Sequence, residues 1–109
     1  MCGILGFWGA EERDPDRFRR ALSALAHRGP DGDGVWTDEA AGIVLGHRRL
    51  SIIDLSIEGA QPMVSADGRW VLTFNGEIYN HRQLRRRLEV AGEVDHWRGH
   101  SDTETLLAA

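Results

Sequence analysis

Met1-Cys2-Gly3-Ile4-Leu5-Gly6-Phe7-Trp8 opens the chain. Residues 3–8 are a short apolar run bounded by Gly9, which predicts a buried strand starting almost at the N-terminus. Working outward, Asp14-Pro15 is a helix start, with the acid as N-cap and proline at the first helical position. Phe18, Leu22, Leu25 and Ala26 recur at helical spacing, and Gly29-Pro30 stops that helix near His27-Arg28. Gly29 to Gly34 is turn chemistry. Val35-Trp36-Thr37 and Gly42 to Leu45 read as two strands joined by a hairpin turn over Asp38 to Ala41. Arg48 to Leu55 reads as another extended segment, Ile57 to Pro62 as a loop, and Trp70 to Phe74 as a strand.

Leu84, Leu88 and Ala91 mark a second helix, with Asn80 as N-cap and Gly92 as its stop. Val94 to Trp97 reads as a short strand. Ser101-Asp102-Thr103-Glu104 has the form of a capping box opening a third helix. The order is one strand and helix, several strands, then helices. That is an α+β pattern with mostly antiparallel strands.

Composition bounds the function. The 109 residues suit one small domain, and the 41% hydrophobic and 28% charged content is that of a globular protein. A net charge of −4 argues against nucleic acid as a partner, and all 13 basic residues are arginine. No apolar run approaches the roughly 18 residues of a membrane helix. The N-terminus lacks a basic leader and turns acidic at Glu11, Glu12, Asp14 and Asp16, unlike a signal peptide. A cytoplasmic location without membrane association is the default expectation. The single cysteine excludes an internal disulfide and a Cys-rich zinc site. His96 and His100 have the spacing of two metal ligands on a helix face, but Gly99 lies between them and no third ligand is evident, so no metal is expected. Arg82, Arg85, Arg86 and Arg87 read as a solvated helix face.

Chemistry enters at Cys2. A small second residue permits removal of Met1, which leaves the Cys2 sulfur beside its own free α-amine. Such an amine titrates near neutrality and can act as general base for the thiol. Position alone leaves open that Cys2 is incidental. Asn75-Gly76 can supply two hydrogen-bond donors, a side-chain amide and a backbone N–H, to an oxyanion. The same pair after a strand is also a common hairpin turn. An arginine such as Arg49 can clamp a carboxylate with two hydrogen bonds, and an acid such as Asp102 can hold an ammonium. Read singly, the first is a surface arginine and the second a helix cap.

Read together, six runs occur in order: Met1-Cys2-Gly3-Ile4, His27 to Asp31 (His-Arg-Gly-Pro-Asp), Arg49 to Asp54 (Arg-Leu-Ser-Ile-Ile-Asp), Gly59 to Met63 (Gly-Ala-Gln-Pro-Met), Phe74 to Asn80 (Phe-Asn-Gly-Glu-Ile-Tyr-Asn) and Ser101 to Glu104. The set closely resembles the glutaminase domain of glutamine-hydrolysing asparagine synthetases. These are class II glutamine amidotransferases with the N-terminal nucleophile hydrolase fold. The resemblance covers essentially residues 1–109.

It implies that Cys2 attacks the side-chain amide of L-glutamine and that Asn75 and Gly76 form the oxyanion hole. Arg49 then clamps the α-carboxylate and Asp102 the α-ammonium, with Leu50, Ser51, Ile52, Ile53 and Glu77 lining the pocket. The reaction yields ammonia and a thioester on Cys2, and the ammonia supplies ATP-dependent asparagine synthesis from aspartate. No cofactor is implied for this segment. ATP and magnesium belong to a synthetase domain, which is the implied partner, and a homodimer is one assembly the family suggests.

The family domain is a four-layer αββα sandwich, and 109 residues carry only its first part. Unpaired sheet edges and an uncovered core predict association and little activity for this length alone. Two other functions stay open. One is a relative that amidates another carboxylate in polysaccharide or natural-product synthesis. The other is a non-catalytic remnant or assembly domain, against which Cys2, Arg49, Asn75 and Asp102 all stand.

Overall fold

The computed structural model describes residues 1–9 and 14–109. The acidic pair Glu11 and Glu12 lies outside the described residues. In chain order the elements are β1 (Gly3–Trp8), α1 (Pro15–Ala24), β2 (Gly32–Asp38), β3 (Ile43–Arg49), a 3₁₀ turn (Ile57–Gly59), β4 (Met63–Val64), β5 (Val71–Leu72), α2 (His81–Val90) and α3 (Asp102–Ala108). The first three strands form an antiparallel sheet in the order β1-β3-β2, and β4 pairs antiparallel with β5. This is the α+β class expected. Among the described residues no helix is long and apolar enough to cross a membrane.

Strand alternation gives the larger sheet two different faces. Leu5, Gly46 and Val35 share a register row, so they project to one face, where Phe18 and Leu22 of α1 lie against Gly46. The helix begins as the sequence requires. The Asp14 carboxylate accepts the Asp16 and Arg17 N–H groups at 2.9 and 3.1 Å, with Pro15 in the first turn. Ile4, His47 and Gly34 share the next row and face the other way. Residues 59–62 cross that second face so closely that a Cβ on Gly34 would overlap the Gln61 carbonyl.

Among the described residues, Leu22 and Met63 are the fully buried hydrophobic side chains, while His47, Asp54, Gln61 and Ser101 through Thr105 are buried polar ones. The best-protected region is therefore polar and lies around the start of α3, on the second face of the sheet. Burial of polar groups is tolerated only when they are hydrogen-bonded. The bonding of this region accordingly determines its geometry.

Four local expectations are corrected. β1 is a strand but not a buried one: among the described residues it pairs with β3 alone, and Phe7 and Trp8 are exposed. The strand expected over Trp70 to Phe74 shrinks to Val71–Leu72, because side chains take the flanking amides. The Trp70 N–H donates to Ser65 Oγ at 3.0 Å and the Phe74 N–H to Gln61 Oε1 at 2.6 Å. The extended segment from Arg48 ends at Arg49, after which the chain curls round that residue's guanidinium. Residues 94–97 are irregular, with a bend at Asp95, rather than a strand, and Trp97 Nε1 donates back to Glu89 of α2 at 2.7 Å.

The helices start where expected, but α1 ends at Ala24 and residues 25–28 form turns, short of the expected end near His27-Arg28. Asn80 occupies the N-cap position of α2 without a side-chain bond, and Gly92 follows α2 at φ 75°, a conformation glycine adopts without strain. Ser101 Oγ accepts the Glu104 N–H at 3.1 Å, which is one half of a capping box. The Glu104 carboxylate turns instead to the N–H groups of Arg98 and Gly99, at 2.8 and 3.0 Å.

Candidate active site

Five of the six sequence runs line one cavity of about 320 Å³, and the sixth, His27 to Asp31, lies behind its wall. Its lining includes Cys2, Arg49, Leu50, Ser51, Ile52, Ile53, Asn75, Gly76, Glu77 and Asp102, every site residue expected from the sequence. The elements that bring them together can be traced bond by bond.

Cys2 precedes β1 and meets the backbone just after β3. The Leu50 N–H donates to its sulfur at 3.3 Å, and the sulfur lies 3.6 Å from the Leu50 carbonyl, within reach as a thiol donor. Arg28 Nε donates to the Cys2 carbonyl at 3.4 Å. The His-Arg-Gly-Pro-Asp run then locks onto the Arg-Leu-Ser-Ile-Ile-Asp run. The Asp31 N–H donates to the Arg49 carbonyl at 2.9 Å, and the Asp31 carboxylate accepts the Ser51 N–H at 2.8 Å. The two runs thus form a single support under Cys2, although 20 residues separate Asp31 from Ser51.

The Arg49 guanidinium donates to the Ser56 carbonyl at 2.7 Å and to the Asp54 carbonyl. These bonds fix its orientation, and with five N–H donors the group keeps capacity for a carboxylate. Asp54 holds the loop in turn, accepting from the Ser56 N–H, the Ser56 hydroxyl and the His100 N–H at 2.8, 2.5 and 2.7 Å. Burial opposes charge on this carboxyl, but the Ser56 and His100 bonds outweigh it and hold its pKa below the ordinary aspartate value.

Asn75-Gly76 is not a hairpin. The chain runs on through a turn at Tyr79-Asn80 into α2, and the Phe74 ring folds against Gly76. Asp102 opens α3, is buried, and accepts the Ile78 N–H at 2.7 Å through Oδ2. A carboxylate accepts several hydrogen bonds, so capacity remains for a cationic ligand.

Two of the lining residues beyond the expected set, Gln61 and His47, are buried at the heart of the site. Gln61 is buried and bridges both sides of the cavity, accepting from the Phe74 N–H at 2.6 Å and donating to Thr103 Oγ1 at 3.1 Å. It lies within the Gly-Ala-Gln-Pro-Met run, but a side chain joining residues 42 apart has no local signature. His47 is 1% exposed, and among the described residues neither ring nitrogen reaches a hydrogen-bond partner. Its two-residue offset from Arg49 on β3, which puts both on one face, was the available clue. Burial lowers its pKa below the ordinary histidine value; the Phe74 backbone pulls the other way from outside good hydrogen-bond geometry, and the Arg49 charge adds to the lowering.

The sign of that shift gives a stability prediction. As pH falls through about 6.5, the unfolded chain takes up a proton on this histidine that the folded chain resists. Stability is expected to decline from pH 7 toward pH 5, by at most about 1.4 kcal/mol per pH unit from this group. His47→Phe should flatten that part of the profile in urea titrations. Asp54 acts only at lower pH, since its depressed pKa is titrated below the ordinary carboxylate range. An unchanged slope between pH 7 and 5 in the variant would show that His47 does not carry it.

The family model described as a glutamine amidotransferase domain matches residues 1–109. The chain is 42% identical over 113 residues to asparagine synthetase [glutamine-hydrolyzing] 1 of Bacillus subtilis, covering 99% of this chain and 17% of that protein. It is 41% identical over 110 residues to a probable asparagine synthetase of Dictyostelium discoideum, covering 98% and 19%. It is 37% identical over 111 residues to asparagine synthetase B of Escherichia coli, covering 99% and 19%. The chain thus spans less than a fifth of the length of these relatives. With the match running from end to end, the chain belongs to the glutamine amidotransferase domain family, as found in glutamine-hydrolysing asparagine synthetases.

Proposed function

We propose that this domain hydrolyses L-glutamine to glutamate and ammonia through a thioester on Cys2, and that the ammonia serves ATP-dependent asparagine synthesis in a synthetase domain. The observation that carries the reading is the shared cavity of Cys2, Arg49, Asn75 and Asp102. Its volume sits at the lower end of small-molecule pockets, about 300–1,000 Å³, in keeping with an amino-acid ligand.

In this mechanism Arg49 holds the α-carboxylate and Asp102 the α-ammonium of glutamine, which extends the side-chain amide toward Cys2. Removal of Met1 frees the Cys2 amine, which takes the thiol proton as sulfur attacks the amide carbon. Asn75 and the Gly76 N–H stabilise the resulting oxyanion. The amine passes its proton to the departing nitrogen, and the C–N bond breaks to give ammonia. Water, deprotonated by the same amine, then cleaves the C–S bond to release glutamate and restore the thiol. Splitting amide hydrolysis in this way replaces one difficult step with two easier ones.

The first half of a four-layer αββα sandwich is the fold this reading requires, in a cytoplasmic protein. ATP and magnesium would be bound by the synthetase domain, and a homodimer is compatible with the scheme. The test is intact mass after treatment with a diazoketone analogue of glutamine. The expected result is loss of one methionine and a single adduct mapping to Cys2, suppressed by excess glutamine. A reactive protein that retains Met1, or an adduct elsewhere, rules the mechanism out.

A further inference from the structure

Arg85 is the one member of the α2 arginine set that departs from the solvated face expected. Its side chain is only 12% exposed. Its Nη1 donates to the Gly99 carbonyl at 2.7 Å, Nη2 to the Ser101 carbonyl at 2.7 Å, and Nε to Thr105 Oγ1 at 2.9 Å. Nη2 also lies 3.4 Å from the Glu104 carboxylate, and the guanidinium carbon stacks 4.1 Å from the centre of the Trp97 ring. One cation thus gathers the loop before α3, its N-cap residue and its first turn.

These contacts bracket Asp102 without touching it. Ser101 immediately precedes it, Gly99 is three residues before it, and Thr105 is three residues after it, one turn up the helix. Thr105 is completely buried, so this attachment cannot slide. Glu104 reinforces it by accepting the Arg98 and Gly99 N–H groups. On the cavity side, Asp102 is held only by the Ile78 N–H among its described bonds. A planar guanidinium with three divergent donors suits this task, because it fixes direction as well as distance.

We infer that Arg85 is a positioning residue that sets the Asp102 carboxylate against the α-ammonium of the amino-acid substrate, and so contributes to discrimination for an α-amino group. The inference rests on the glutaminase reading above. Loss of Arg85 loosens the first turn of α3 but leaves Cys2, which is held at the Leu50 N–H, where it is; Asn75 feels the change only at second hand, through Thr103, Gln61 and the Phe74 N–H. The defect belongs in binding of the ammonium end and not in attack on the amide.

The test, run with the domain joined to its proposed synthetase domain, compares glutamine with glutaramate, which has the same amide and carboxylate but no α-ammonium. A buried charge-assisted hydrogen bond corresponds to a preference for glutamine on the order of 10- to 100-fold in kcat/KM. In Arg85→Met, kcat/KM for glutamine is expected to fall about 10-fold or more through a raised KM, while that for glutaramate stays nearly constant. Arg85→Lys, which keeps the charge but cannot reach all three acceptors, should recover part of the preference. Thr105→Val removes one acceptor with little change of shape and should lower the preference in the same direction, which keeps the test available if Arg85→Met does not fold.

Parallel loss on both substrates, or a loss confined to kcat, overturns the role of Arg85 while leaving the glutaminase reading standing. So does an unchanged preference in the folded variants. A wild-type protein that hydrolyses neither substrate and takes no adduct on Cys2 instead removes the glutaminase reading, and this inference with it.

Discussion

Cys2→Ala is expected to lower kcat for glutamine hydrolysis by at least about 10⁴-fold, as removal of the nucleophile does in other covalent hydrolases. The argument is geometric. Cys2 is the single cysteine of the chain, and its sulfur sits where the Leu50 N–H can donate to it. The cavity offers Ser51, Ser101 and Thr103 hydroxyls, but none of them carries an adjacent free amine. What survives in the variant is donor stabilisation and binding, which act on a water nucleophile at a far slower rate. Folding should suffer little, because only the weak sulfur contacts with Leu50 are lost, at a cost of about 1 kcal/mol or less. Glutamine should still raise the melting temperature of the variant. Glutamate release measures the effect, and an alanine protein retaining a hundredth of wild-type activity would remove Cys2 from the reaction.

The second large effect belongs to Asn75→Ala. Removing one oxyanion donor costs about 10²- to 10³-fold in kcat. KM should change little, because the donor meets the charge that develops during attack and not the neutral amide. Asn75→Asp should be worse than alanine, since it puts an acceptor with negative charge where a donor is needed. The precision of this arm comes from its neighbour: the Phe74 N–H is bound by Gln61 Oε1, and Gln61 is held by Thr103 beside Asp102. A rise in KM at constant kcat would reassign Asn75 to ground-state binding.

Much of this was legible before any coordinates. The helix starts at Asp14-Pro15 and Ser101 are local chemistry, and both appear with the expected side-chain bonds. The candidate site was legible because its residues lie in short runs whose order is specific, and the cavity contains every residue those runs implied. What escaped was the part decided by long-range partners. Phe74 leaves the strand because Gln61, 13 residues earlier, takes its N–H. Residues 94–97 fail to form a strand, and Trp97 bonds to Glu89 and stacks on Arg85. Arg85 looked like one of four solvated arginines because nothing in the helix periodicity separates an arginine that meets three acceptors from one that meets water. Phe7 and Trp8 looked buried because apolar content predicts burial only when a second layer covers the strand.

The site residues lie far apart along the chain, at positions 2, 49, 75 and 102, with Gln61 tying the last two regions together. Synthesis on the ribosome proceeds from the N-terminus, so the reactive thiol emerges first and the acid that would anchor its substrate emerges last. A nascent polypeptide therefore carries an idle sulfur until residue 102 and the turn that orients it have cleared the exit tunnel. Under the proposed mechanism, a shorter nascent chain has nothing to hold the ammonium end of glutamine.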